Sequence, residues 1–249
     1  MKRPEILLNT QEKKLNGVGH VNGNAAIQSL HIHDDDDAIC DDHICTGVET
    51  PLRPDAFDLS DEEKIGLITE KFADILHILG MDLTDDSLRD TPRRVAKMYV
   101  KEVFSGLHPA RKPMVQLFDN AYKYNQMLLE KNITVHSYCE HHLVPIIGVA
   151  HVAYISSGKV IGLSKINRIV RYFSKRPQVQ ERLTEQIARE LKNVLQTDDV
   201  AVYIDAEHFC VKTRGIEDVQ SSTVTTHYSG KFLHDLQIRQ EFLSIIAQK

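Results

Sequence analysis

Two ligand-rich clusters, Cys139-Glu140-His141-His142 and His208-Phe209-Cys210, stand about seventy residues apart. One metal ion can draw on both only if the fold brings them together. Cys139 and His142 lie three apart, a spacing that a tight turn or helix start closes onto one ion. His208 and Cys210 lie two apart, so on a strand both side chains point to one face, with Lys212 and Arg214 following on that face. Thiolate and imidazole are zinc donors, and this spacing supplies three readily. Three protein ligands leave the fourth position to water, as in a catalytic site, whereas a closed structural site would take His141 or His208 as its fourth. A lone buried Cys or core His is common; two clusters of ligand types are not.

At 249 residues the chain has room for one large domain or two small ones. No apolar run approaches 18 residues, so no membrane span is expected. The first 30 residues lack the apolar stretch of a signal peptide, which points to the cytoplasm. Cysteines 40, 45, 139 and 210 are too few and too uneven for a disulfide framework. The net charge of −5 is local: residues 1–55 carry five Lys/Arg and ten Asp/Glu, leaving 25 of each in the body. A neutral body lacks the clustered basic excess of a general nucleic-acid surface.

Residues 1–55 show neither helical nor strand periodicity and contain the acidic block Asp34–Asp37, a composition that predicts a flexible extension. Its His31, His33, Cys40, His43 and Cys45 read as chance ligands on a solvated tail. Residues 56–249 read as the folded body, with a helical pair over 60–106 and a sheet and helix core over 130–249. Ser60-x-x-Glu63 is a capping box that starts a helix with Ile65, Ile68, Phe72, Ile75, Leu76 and Leu79 inward, ended by Gly80. Thr91 as N-cap with Pro92 opens a second helix burying Val95, Met98, Tyr99 and Val103.

Period-two patterning predicts strands at 133–137 and 148–155 joined across the Cys-Glu-His-His segment. Ser164 is expected to cap a helix, Arg176-Pro177 to break it, and a longer helix to carry Leu183, Ile187 and Leu191 inward. Strands at 200–205, 208–214 and 222–228 follow, then a last helix over about 234–247. The order predicts an α+β domain, an antiparallel sheet faced by helices.

Two further stretches look functional. Ser164-Lys165-x-x-Arg168 sits at a helix N-terminus, where free N–H groups already favour an anion. Gln180-Glu181 opens the next helix. A carboxylate there is either a solvated helix charge or the partner of adjacent donors, such as the N1–H and 2-amino group of guanine.

With Asp90-Thr-Pro-Arg-Arg-Val-Ala-Lys97, Ser137-Tyr-Cys-Glu-His-His142, Ile161-Gly-Leu-Ser-Lys-Ile-Asn-Arg168, Gln178-Val-Gln-Glu-Arg-Leu-Thr184 and His208-Phe-Cys-Val-Lys-Thr-Arg-Gly215, the chain resembles the GTP cyclohydrolase I family over about residues 57–248. The resemblance implies one zinc ion per subunit on Cys139, His142 and Cys210, with His141 and His208 handling protons beside it. It implies Glu181 with Gln180 as guanine anchor, Ser164 near the substrate, and Arg94, Lys97, Lys165, Arg168 and Arg214 around the triphosphate. It also implies a tunnelling-type fold, a toroidal homodecamer with active sites at subunit interfaces, and conversion of GTP to formate and 7,8-dihydroneopterin triphosphate. No sequence feature marks a regulatory protein partner. The competing readings are a structural zinc protein, a catalytically silent homologue, and a pterin-related nitrile reductase on the same fold. The last would use a cysteine nucleophile without zinc, against the two-cysteine set here.

Overall fold

The computed structural model describes residues 47–248. The acidic block and the histidines and cysteines of the extension lie outside the described residues. Helix α1 (Asp61–Ile78) opens on the predicted capping box: Ser60 Oγ accepts from the Glu63 N–H, and Glu63 Oε2 accepts from the Ser60 N–H at 2.8 Å. It ends in a paired turn, with the Gly80 N–H on His77 O and the Met81 N–H on Leu76 O; Gly80 takes φ +81°, which a side chain would oppose. The expected inward face is only partly covered. Ile65 is buried, but Ile75 and Leu79 are exposed, so the C-terminal part of that face is left open among the described residues.

Helix α2 (Thr91–Lys97) starts one residue earlier than predicted: Asp90 is the N-cap, and Pro92 falls at the second helical position. It runs on as a π-helical segment, Met98–Val103. Phe72, Tyr99, Phe104 and Tyr138 contact one another in series with ring centroids 5.0–5.6 Å apart, tying the helical pair to the sheet. Gly106 lets the chain press against the end of α3, since a Cβ there would lie 2.0 Å from Tyr172 O.

The main sheet has five strands in the order β5-β2-β3-β6-β7. They are β2 (Met127–Cys139), β3 (Pro145–Ile155), β5 (Pro177–Gln178), β6 (Val200–His208) and β7 (Thr223–Tyr228). Its long strands are antiparallel as expected, but β5 pairs parallel with Tyr138 and Cys139 of β2, so the sheet is mixed. The reason is the link that Arg176-Pro177 forces between α3 (Leu163–Ser174) and α4 (Gln180–Leu195): it runs back beside the end of β2. A small sheet of β1 (Leu117–Asp119) and β4 (Lys159–Ile161) stands apart, unforeseen because three-residue strands show no period.

Ser164 is the second residue of α3, not its cap. Gly162 holds that position in extended conformation, its carbonyl accepting from the Lys165 N–H. One face of the sheet packs Val135, Ala150, Val152 and Ile204 on Ile166, Ile169, Leu183, Ile187 and Leu191 of α3 and α4. Each such fully buried aliphatic side chain contributes about 1.5–3 kcal/mol. The other face packs Ala153, Ile155 and Ala201 on Phe232 of α6 (Lys231–His234) and Phe242 of α7 (Leu236–Ala247).

Candidate metal centre and catalytic cleft

At the end of the sheet, β2 and β3 are joined by a tight turn over Glu140–Val144, in which the Leu143 N–H donates to Cys139 O and Leu143 takes φ +52°. The Glu140 N–H donates to Gln178 O at 3.0 Å, so β5 pins this turn to the start of α4. β6 ends at His208 opposite Ile146 of β3. There the chain departs from expectation. Residues 208–214 do not continue as a strand; Phe209–Lys212 form a helical turn, α5. The clusters still meet, but by that turn rather than by strand alternation. Lys212 is drawn away to Glu207 at 2.8 Å, while Arg214 returns to His142.

Cys139, His142 and Cys210 each present a ligand atom, and all three atoms lie within 4.8 Å of one another. Both cysteines are buried. His142 Nδ1 is buried with no hydrogen-bond partner among the described residues, while Nε2 lies 2.9 Å from the Arg214 guanidinium. A buried nitrogen left without a partner beside two thiols fits a zinc ion better than a packed core. Arginine only donates, so Nε2 accepts here. Ligation through Nδ1 would leave the ring proton on Nε2, and Arg214 would then turn away.

His208 is held differently. The Gln180 amide is buried and donates to Ile204 O, Thr223 O and Thr225 Oγ1 at 2.8–3.2 Å. Those contacts orient its oxygen toward His208 Nε2 at 2.7 Å, so Nε2 carries the proton and Nδ1 remains an acceptor. Burial pushes the His208 pKa down, opposed by the Glu181 carboxylate. His141 lies between two groups, Nδ1 3.6 Å from Cys139 Sγ and Nε2 3.6 Å from the Glu140 carboxylate.

Cys139, His141, Gln180, Glu181, His208 and Cys210 line one cleft of about 470 Å³. Arg214 and His142 do not line it; they bond to each other beside the metal-donor group. None of the cleft's lining residues comes from α2 or α3, which carry Arg94, Lys97, Ser164, Lys165 and Arg168. Arg168 instead borders a separate basic hollow with Arg111, Arg171 and Lys175. Burial lowers the Lys175 pKa, and Arg171 adds to the effect. Sequence reasoning passed over Glu140 and Arg182, which pair beside the metal cluster. Glu140 sits inside the ligand motif, a position that could have drawn attention, whereas Arg182 on a helix reads as a surface charge.

Among the described residues no helix is long and apolar enough to cross a membrane. The sequence model of the family described as GTP cyclohydrolase I matches residues 68–247. A Flavobacterium johnsoniae protein named GTP cyclohydrolase 1 is 62% identical over 210 residues, covering 84% of this chain and 94% of that one. Proteins of the same name from Vibrio parahaemolyticus and Salmonella newport are 54% and 51% identical, covering 79% and 82% of this chain and 90% and 91% of theirs. With the family matched across most of its length, the chain belongs to the GTP cyclohydrolase I family of enzymes.

Proposed function

We propose that residues 56–249 form a catalytic domain that opens the imidazole ring of GTP hydrolytically, releases formate and forms 7,8-dihydroneopterin triphosphate. The observation that carries this reading is the convergence of three metal-donor atoms, an oriented His208 and the Glu181 carboxylate on one cleft. Cys139, His142 and Cys210 would hold one zinc ion per subunit. Bound there, zinc supplies Lewis acidity that brings the pKa of water toward neutrality.

The chain's own residues do the rest. Glu181 accepts from N1–H and the 2-amino group of guanine, a donor pair that adenine lacks. Gln180 contributes by holding His208, its amide already engaged on every side that the structure shows. Addition of water at C8 leaves charge on the ring unless N7 is protonated, and His141, at the cleft wall, is placed to deliver that proton. His208 Nδ1, free to accept, takes a proton from the attacking water. The ring then opens, a second hydrolysis frees C8 as formate, and the ribose carbons rearrange to close the new ring.

Arg214, bonded to His142 of the metal-donor group, reaches the triphosphate from the same chain. Arg94, Lys97, Lys165 and Arg168, with Ser164 near the substrate, reach it from a second copy, since α2 and α3 supply nothing to the cleft of their own chain. Charge-assisted hydrogen bonds from these cations position the substrate. A cytoplasmic toroidal homodecamer is the assembly that the family resemblance supports, and the exposed Ile75, Ile78 and Leu79 of α1 offer apolar surface for it. Mass measurement by light scattering would check it.

The direct test incubates purified, zinc-loaded protein with GTP. Formate and a product that fluoresces after oxidation are expected. No formate from a fully loaded protein would sink the assignment.

A further inference from the structure

Residues 47–50 lie along α4 and are bound there by side chains that a solvated helix would not bury. Gly47 O accepts from Arg182 Nε at 3.2 Å, and Val48 O accepts from Gln186 Nε2 at 2.7 Å. Thr50 Oγ1 accepts from Gln186 Nε2 and from Arg176, both at 3.1 Å. Glu49 pairs with Arg189 at 2.5 Å. Arg182, Gln186 and Arg176 are all buried, at 6%, 2% and 9% exposure. A buried guanidinium is tolerated only when paired and hydrogen-bonded, and the segment supplies part of that satisfaction.

From these anchors two routes run to the catalytic turn. Arg182 Nη1 and Nη2 pair with the two Glu140 oxygens, a bidentate grip that sets the plane of the carboxylate. Glu140 Oε1 in turn faces His141 Nε2 at 3.6 Å. In parallel, Gln186 Oε1 accepts from Gln178 Nε2 at 2.8 Å, and Gln178 O accepts from the Glu140 N–H. Side chain and backbone of Glu140 are thus both tied, through α4, to residues 47–50.

We infer that residues 47–50 are a strap that positions His141 through Arg182 and Glu140, making these two positioning residues for turnover. The inference rests on the reading of His141 as a proton-handling group. Neither Arg182 nor Glu140 lines the cleft, whereas His141 does, so their influence on substrate runs through His141.

The test uses the full chain, loaded with zinc, and follows formate release from GTP. Glu140→Gln should lower kcat about 10–100-fold, the usual scale for a partner that orients a site residue. KM for GTP and zinc per chain should stay as in the unaltered protein, and Arg182→Lys should retain part of the activity that Arg182→Met loses. Thr50→Val, which removes the hydroxyl's bonds to Gln186 and Arg176 and leaves Arg182 with its own bonds, should lower kcat roughly threefold on the same reasoning. If Glu140 works through His141, Glu140→Gln should cost little more in a His141→Ala background. Turnover within twofold for both Glu140→Gln and Thr50→Val, or zinc lost in step with activity, overturns the strap. Should His141→Ala itself keep full turnover, the proton-handling reading falls and takes the strap with it. Loss at His141→Ala with none at Glu140→Gln removes the strap alone.

Discussion

In the metal cleft, Cys139, Cys210 and Gln180 are buried, and the His208 ring is fixed by a hydrogen bond of 2.7 Å. On α2 the side chain of Arg94 is 72% exposed and lies 4.0 Å from the Asp90 carboxylate; on α3, Arg168 is exposed beside Arg171. One region is preorganised, the other merely available. A catalytic group gains from a fixed tautomer and direction before substrate arrives. A phosphate-binding cation carries its charge everywhere and can be supplied by another surface. The contrast is what the proposed division of labour rests on, with the chemistry built by one chain and binding of the triphosphate completed by another.

The strongest way to break this comparison is to damage each region and then mix the products. Cys210→Ser should lose zinc and activity together, formate release falling by roughly three orders of magnitude because a hydrolytic centre loses its metal. Arg168→Ala should keep its zinc and raise KM for GTP about 10–100-fold, the scale of one lost charge-assisted contact to phosphate. Unfolding and reassembling the two variants together should restore activity above either alone, as assayed by formate release. No recovery, with mixed oligomers present by native mass measurement, would place metal and cations on the same chain.

A smaller effect sharpens the preorganised side. Gln180→Leu removes the acceptor that holds His208 Nε2–H, and kcat should fall about tenfold with zinc content unchanged. Ring-nitrogen shifts of labelled histidine would show His208 losing its single tautomer; unaltered shifts would show that Gln180 does not set it.

The smallest effect separates fold from site. His151 is buried on β3 and accepts weakly from the Asn132 N–H at 3.4 Å. Burial, and then Lys131, hold its pKa below the ordinary 6.5, against the pull of Asp205. Above that ordinary value the ring is neutral whether the chain is folded or not, and it contributes no pH dependence. As pH falls below it, the unfolded chain takes up a proton that the folded one resists, so stability declines on acidification. His151→Gln should flatten the dependence of Tm between about pH 6.5 and 5 by the same linkage, with KM and kcat at neutral pH unchanged. An equal slope in both proteins would acquit His151.

Local chemistry was legible along the chain. Ser60 and Glu63 specify a helix start by their own hydrogen bonds, and the alternation along the end of β2 follows from burying one side of that strand, whereas β3 and β6 are buried on both sides over much of their length. Alternation misled beyond His208, where Phe209–Lys212 coil into a turn. Strand pairing past that point is a matter of what lies alongside, and no pattern within seven residues records it. The exposed Ile75 and Leu79 were misread for a related reason, since an apolar face states what a helix can bury and not what arrives to cover it.

The sequence by itself determined which atoms could serve: two thiols, a group of imidazoles, a carboxylate at the head of α4 and the cations of α2, α3 and α5's exit. These are properties of side chains and need no neighbours. Tertiary structure alone decided how the atoms are used. Parallel β5 brings the start of α4 beside Cys139, the Gln180 amide chooses the tautomer of His208, and Arg182 leaves the surface to grip Glu140. Each of these depends on contacts between residues far apart in the chain, where burial removes water as an alternative partner and leaves one satisfied arrangement.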